Sequence, residues 1–191
     1  RDLLRMLDDP RRFIYAVDPA DNIVFVNQDW LNFARDNDFD AVQRDAVIGD
    51  LLWHHVADPA VQHLYKTMFD RVRDGARLSD LAYRCDAPDC RRYMQMDICR
   101  LGGEMVRITS RIVREEYRDP VPLLSDFQDR SEDIVTICSF CKKVRIRADL
   151  WVEVETAIRR LGLAAAWPLP HLSHGICEAC YADWEAQLDA V

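Results

Sequence analysis

Glycine is scarce in this sequence, with six among 191 residues, and no glycine-rich loop of the kind that cradles phosphates occurs. G-x-S-x-G and H-E-x-x-H are missing too, as are cyclase and kinase signatures, so the motifs for nucleophilic, metallohydrolase and phosphoryl-transfer chemistry are absent. No apolar run approaches the ~18 residues needed to span a bilayer. No charged n-region followed by an apolar h-region marks a secretory signal. The expectation is a non-enzymatic protein of the cytoplasm, without a membrane partner. The first residue is Arg1 and not Met, as expected of a fragment of a longer chain.

Seven cysteines are present, and an odd count argues against a complete disulfide framework. Without an export pattern they suit a reducing compartment, where thiols bind metal or stay free. The net charge of −8 opposes non-specific attraction to nucleic acid. Lys142, Lys143, Arg145 and Arg147 form a local basic run, read first as a solvated face and second as a nucleic-acid patch.

The strongest signal is Cys138-Ser-Phe-Cys141 with Cys177-Glu-Ala-Cys180. Each C-x-x-C turn lets two thiolates converge on one ion about 2.3 Å away, and two pairs supply a closed Cys₄ zinc shell. Such a shell is structural, because it keeps no position for an activated water. The pairs are separated by residues 142–176, a gap longer than usual, so something folded must lie between them. The redox-dithiol alternative expects a thioredoxin-like βαβ setting, which is missing around Cys138. His174, three residues before Cys177, is the competing ligand or a residue supporting one; His171 reads as a loop residue.

Leu3, Leu4 and Leu7 suggest a lead-in helix over 1–10, ended by Pro10. Phe13–Val17 and Ile23–Val26 read as strands joined by the turn Asp18-Pro-Ala-Asp-Asn22. Asn27-Gln28-Asp29 opens a short helix with Trp30, Leu31 and Phe33. Asp58-Pro59 caps a longer one carrying Val61, Leu64, Met68 and Val72, with Gly75 as its stop. Three strands follow: Leu78–Arg84, Tyr93–Ile98 and a run through Val106, Ile108, Ser110 and Ile112, the last two runs alternating with a period of two. Beyond a polar connector at 118–133, Ile134–Ile137 reads as a strand running into Cys138. Asp149 is expected to cap a helix with Leu150, Trp151, Val154, Ala157, Ile158 and Leu161. Trp167-Pro-Leu-Pro170 reads as a loop, and Tyr181, Trp184 and Leu188 mark a terminal helix. A cysteine knuckle in front and a C-x-x-C at a helix start are the layout of a treble-clef zinc fold.

The order ββ, helices, βββ, with Asn22-Ile-Val-Phe-Val-Asn27 and Trp30, resembles a PAS domain over 11–117. That resemblance implies a five-stranded antiparallel sheet cupped by helices, serving in sensing or dimerisation. The helix motif of flavin photosensor members is absent. Haem-binding members use a histidine on the long helix, which makes His63 the haem candidate, with His54 and His55 weaker. A small apolar or mixed ligand of unknown identity is the other expectation. Cys85 and Cys90 flank a strand turn and could act as a thiol switch, although packed thiols are the first reading; Cys99 reads as core.

The run Ile137-Cys-Ser-Phe-Cys-Lys-Lys143, with Trp151, Glu153 and Ser173-His-Gly-Ile-Cys177, resembles a cysteine-rich tail of bacterial signalling proteins. There it accompanies PAS, GAF or receiver domains. The sequence therefore predicts an α+β protein: a lead-in helix (1–10), a PAS-like domain (11–117), a connector (118–133) and a small zinc-stabilised, treble-clef-like module (134–191). A homodimer formed through the PAS-like domain or the lead-in helix and a signalling partner are the expected associations. A nucleic-acid-binding regulator is the alternative.

Overall fold

The computed structural model describes residues 12–37, 44–125 and 129–189, so the expected lead-in helix at 1–10 lies outside the described residues. The chain divides into two units: Arg1–Ala82 with Met94–Val113, and Tyr83–Tyr93 with Arg114–Ala190.

The antiparallel sheet is built from β1 (Arg12–Val17), β2 (Ile23–Val26), β3 (Leu78–Arg84), β4 (Cys90–Arg100) and β5 (Val106–Tyr117), in the order β2-β1-β5-β4-β3. β1 pairs antiparallel with both β2 and β5. The alternation becomes one buried face on β4, where Met94, Met96 and Ile98 are buried and Tyr93, Gln95 and Asp97 only half-buried. On β5 it holds for Val106 and Ile108 but breaks beyond them, since Thr109 and Ser110 are both buried and Ile112 is half-buried. Helices α1 (Gln28–Arg35), α2 (Arg44–Val47) and α3 (Pro59–Arg73) come between β2 and β3.

α3 follows its sequence signals closely. The Asp58 carboxylate accepts from the Ala60 and Val61 N–H groups, and Pro59 takes a first-turn position where no N–H is needed. Val61, Leu64, Met68, Phe69 and Val72 form its buried stripe. After the helix Gly75 takes φ +109°, a conformation that side chains with a Cβ resist. The β1–β2 turn is tied down as well. Asp21 pairs with Arg73 at 2.6 Å and accepts from the Trp53 indole at 3.0 Å.

Asn27 is a buried polar node. Its Oδ1 accepts from Trp30 N–H, capping α1, and from Ile14 N–H on β1, while its Nδ2 donates to the Arg12 carbonyl. Asn27→Ala removes all three bonds and leaves buried backbone groups unpaired. It should cost about 1–3 kcal/mol in chemical denaturation; an unchanged midpoint would show that water replaces the amide.

The second unit is organised on a four-stranded sheet of β6 (Arg130–Cys138), β7 (Val144–Arg147), β8 (Leu150–Val152) and β9 (Leu169–Gly175), ordered β8-β7-β6-β9. β6 and β9 run parallel, with Ile137 opposite His174 and Cys138 opposite Gly175. Helix α4 (Val154–Arg160) and helix α5 (Glu178–Asp189) complete the unit. Val121, Leu123, Val135, Ile137, Val144, Val154 and Ala157 make its core. Val121 and Leu123 thus belong to a core, although they fall within the stretch expected to be a connector.

Three expectations need correction here. Leu150–Val152 is a strand, with Trp151 opposite Arg145 and Val152 opposite Val144. The helix begins only at Val154, so Asp149 does not cap it. The Trp167–Pro170 loop runs into a strand: Pro170 sits in β9, opposite Ser131. β9 is an edge strand, where a residue without an N–H is tolerated.

Candidate metal centre

The first cysteine pair occupies the turn from β6 into β7. Cys138 N–H donates to the Lys143 carbonyl (2.8 Å) and Lys142 N–H to the Cys138 carbonyl (3.1 Å), closing the turn, with Lys142 at φ +59°. The second pair stands at the start of α5. Cys177 precedes the first helical residue, and its sulfur accepts from Cys180 N–H at 3.5 Å, in the position of a capping side chain. β9 delivers Cys177 to the turn: Ser139 N–H donates to the Gly175 carbonyl, and Cys177 N–H reaches the Cys138 sulfur at 3.4 Å. The rings of Phe140, within the first pair's turn, and Trp184, on α5, pack at 4.9 Å, and both residues are buried. Trp184 was legible as a terminal-helix residue, but nothing in its spacing linked it to the cysteine turn.

All four sulfurs lie within 4.8 Å of one another. A tetrahedral shell with ~2.3 Å metal–sulfur bonds has sulfurs about 3.8 Å apart, and Cys141 and Cys177 stand at 3.7 Å. Cys138 and Cys177 are buried, Cys141 and Cys180 half-buried. Hydrogen bonds from the Cys141 and Cys180 thiols hold Cys138 well below the ordinary thiol range. The bond to Cys138 pushes Cys141 up to about 12, and the bonds to Cys138 and Cys141 raise Cys180. The sulfurs thus share protons where a cation would replace them. A donor set made only of thiolates suits zinc or iron and disfavours magnesium and calcium.

The quartet therefore comes together as its spacing suggests. Among the described residues no histidine joins it: His174 is exposed on β9, and so is His171. His63 is exposed on α3, off the buried stripe, so a haem placed within that unit's core would not meet it. His54 and His55 are also exposed, and both pair with Asp50 (2.8 and 2.9 Å). Cys85 and Cys90 do not face each other. Cys85 N–H donates to the Arg92 carbonyl, whereas Cys90 pairs with Ala87. Burial raises both thiols, which lowers their thiolate fraction and disfavours a switch. Cys99 is half-buried instead of core. The basic run lies on and beside β7, where Lys143, Arg145 and Arg147 are exposed; Arg145 lies over the Trp151 ring and reaches Thr136.

No helix among the described residues is long and apolar enough to cross a membrane. No family model matches the chain, and no curated protein does. Several solved structures are similar to it, and two of them define the likeness. One is a domain of the sensory box sensor histidine kinase/response regulator from Geobacter sulfurreducens: 12% identity, TM-score 0.41, covering 58% of this chain and 90% of that one. The other is the PAS domain from Bordetella pertussis BvgS: 19% identity, TM-score 0.43, covering 62% and 90%.

Proposed function

We propose that this chain is a non-enzymatic bacterial signalling protein of the cytoplasm, in which a PAS-like sensing or dimerisation domain is joined to a treble-clef-like module stapled by structural zinc. The observation that carries the reading is the convergence of four cysteine sulfurs within 4.8 Å, two from a strand turn and two from a helix start. The strand order β2-β1-β5-β4-β3 supports the PAS-like half. Four thiolates fill a zinc shell and leave no open coordination position, which argues for a structural and against a catalytic ion. The PAS-like half would pair with a second copy or take a small ligand, and the zinc module would present a surface to a signalling partner. The nucleic-acid alternative rests on the exposed β7 cations. It is the weaker reading, because the net charge is −8 and Arg145 is engaged by Trp151 and Thr136.

Metal analysis of the chain purified in reducing buffer tests this reading, with one zinc per chain expected. Because the ion replaces protons on the sulfurs, affinity should fall as pH falls, and loading should release protons in a weakly buffered titration. Metal-free protein, or an affinity that does not vary with pH, would sink the proposal.

A further inference from the structure

Outside the cysteines, a polar cluster of the second unit centres on Arg84 at the end of β3. Its guanidinium is only 10% exposed and makes two forked pairs. Nε and Nη2 donate to Asp86 (3.1 and 2.5 Å), and Nη1 donates to both oxygens of Glu153 (3.1 and 2.9 Å). Burial alone would lower the Arg84 pKa, but hydrogen bonds to Asp86 and Glu153 raise it above the ordinary guanidinium value, so the charge is permanent. The Asp86 side chain is 1% exposed and also meets Arg118 at 3.3 Å. Arg118 and Arg91 both reach Glu155, in the first turn of α4, at 3.0 and 2.7 Å.

The backbone of the same residue does something different. Arg84 N–H donates at 2.6 Å to the carbonyl of Phe140, which lies between Cys138 and Cys141. The segment that leaves Cys141, runs through β7 and β8 and arrives at Glu153 is therefore held at both ends by one residue. The amide grips the turn and the guanidinium grips the far end.

We infer that Arg84 is a positioning residue of the metal centre: clamped by Asp86 and Glu153, it fixes the carbonyl between the first two cysteines and so sets the turn for the ion. This inference rests on the metal reading above. Arranging the turn before binding lowers the ordering cost of capture. By linkage, the ion must in turn steady the Arg84–Arg92 hairpin end.

Cobalt(II) is the probe, because its visible absorption reports both thiolate binding and the symmetry of the shell. In the full chain, Glu153→Gln and the milder Arg84→Lys should lower cobalt affinity 5- to 150-fold, the usual range for coupled sites. They should also change the band shape and speed amide exchange at residues 84–92 in the loaded protein. Asn27→Ala serves as the stability control and should leave affinity and spectrum unchanged. Wild-type affinity and spectrum in both variants would overturn the inference while leaving the metal reading intact. A wild-type chain that binds neither cobalt nor zinc would overturn both.

Discussion

Cys138→Ser should empty the metal centre and release residues 130–189 to protease. Cys138 is fully buried, and its sulfur accepts the Cys177 N–H and the hydrogen bonds of the Cys141 and Cys180 thiols. A serine hydroxyl is a poor zinc ligand and is too short to hold the same position. Structural zinc contributes on the order of 10–16 kcal/mol in small metal modules at neutral pH, whereas a whole domain is stable by only about 5–15 kcal/mol. The apolar core of the second unit is small, resting on Leu123, Ile137, Val144, Val154 and their neighbours. Losing the ion should therefore cost the fold of the unit and not merely soften it. Limited proteolysis read by mass spectrometry, alongside metal analysis, decides the matter. A variant that keeps one ion and resists cleavage would show that three thiolates suffice and that the closed shell is not what holds the unit.

In the first unit the largest loss is expected from Phe69→Ala. Phe69 is fully buried in the C-terminal half of α3, with the Trp53 ring at 5.8 Å, the Tyr65 ring edge-on at 6.2 Å and the Arg73 guanidinium 5.8 Å from its ring centre. Truncation removes the apolar contacts and leaves a cavity lined by residues that helix and strand backbones hold in place. The expected cost is about 3–5 kcal/mol, read as a lowered midpoint in urea. Arg73 would lose the ring beneath it while its pair with Asp21 persists. A cost near 1 kcal/mol would mean that the unit collapses around the gap and that its interior is loosely packed.

What the sequence reveals and what it hides divide by distance along the chain. α3 was legible because cap, stripe and stop fall within a single stretch from Asp58 to Gly75. The alternation of β4 was legible because one face of that strand is buried, whereas β5 keeps it only at Val106 and Ile108, before Thr109 and Ser110 are buried side by side. The cysteine quartet was legible because each pair carries its own local geometry. Leu150–Val152 was misread, because its apolar residues continue the spacing of Val154, Ala157 and Ile158, and only pairing with β7 makes them a strand. β9 was hidden by Pro168 and Pro170, which suppress a strand reading wherever edge placement is unknown. Arg84 left no signal at all: Glu153, its partner, lies 69 residues away, and charge pairs at that separation have no sequence pattern. His63 looked suitable because it lies on the long helix, but which face it occupies excludes it from that core.

The parallel pairing of β6 with β9 sets an order on assembly. The turn holding Cys138 and Cys141 is closed by neighbours in the chain, so it can form within a local hairpin. Cys177 and Cys180 reach it only when Ile137 finds His174 and Cys138 finds Gly175, through a crossover that carries β7, β8 and α4. Closing that span costs entropy before any contact repays it. Two sulfurs are thus brought together by a local turn, and all four only by the crossover, so the proposed ion would find its full shell only once β9 has docked on β6.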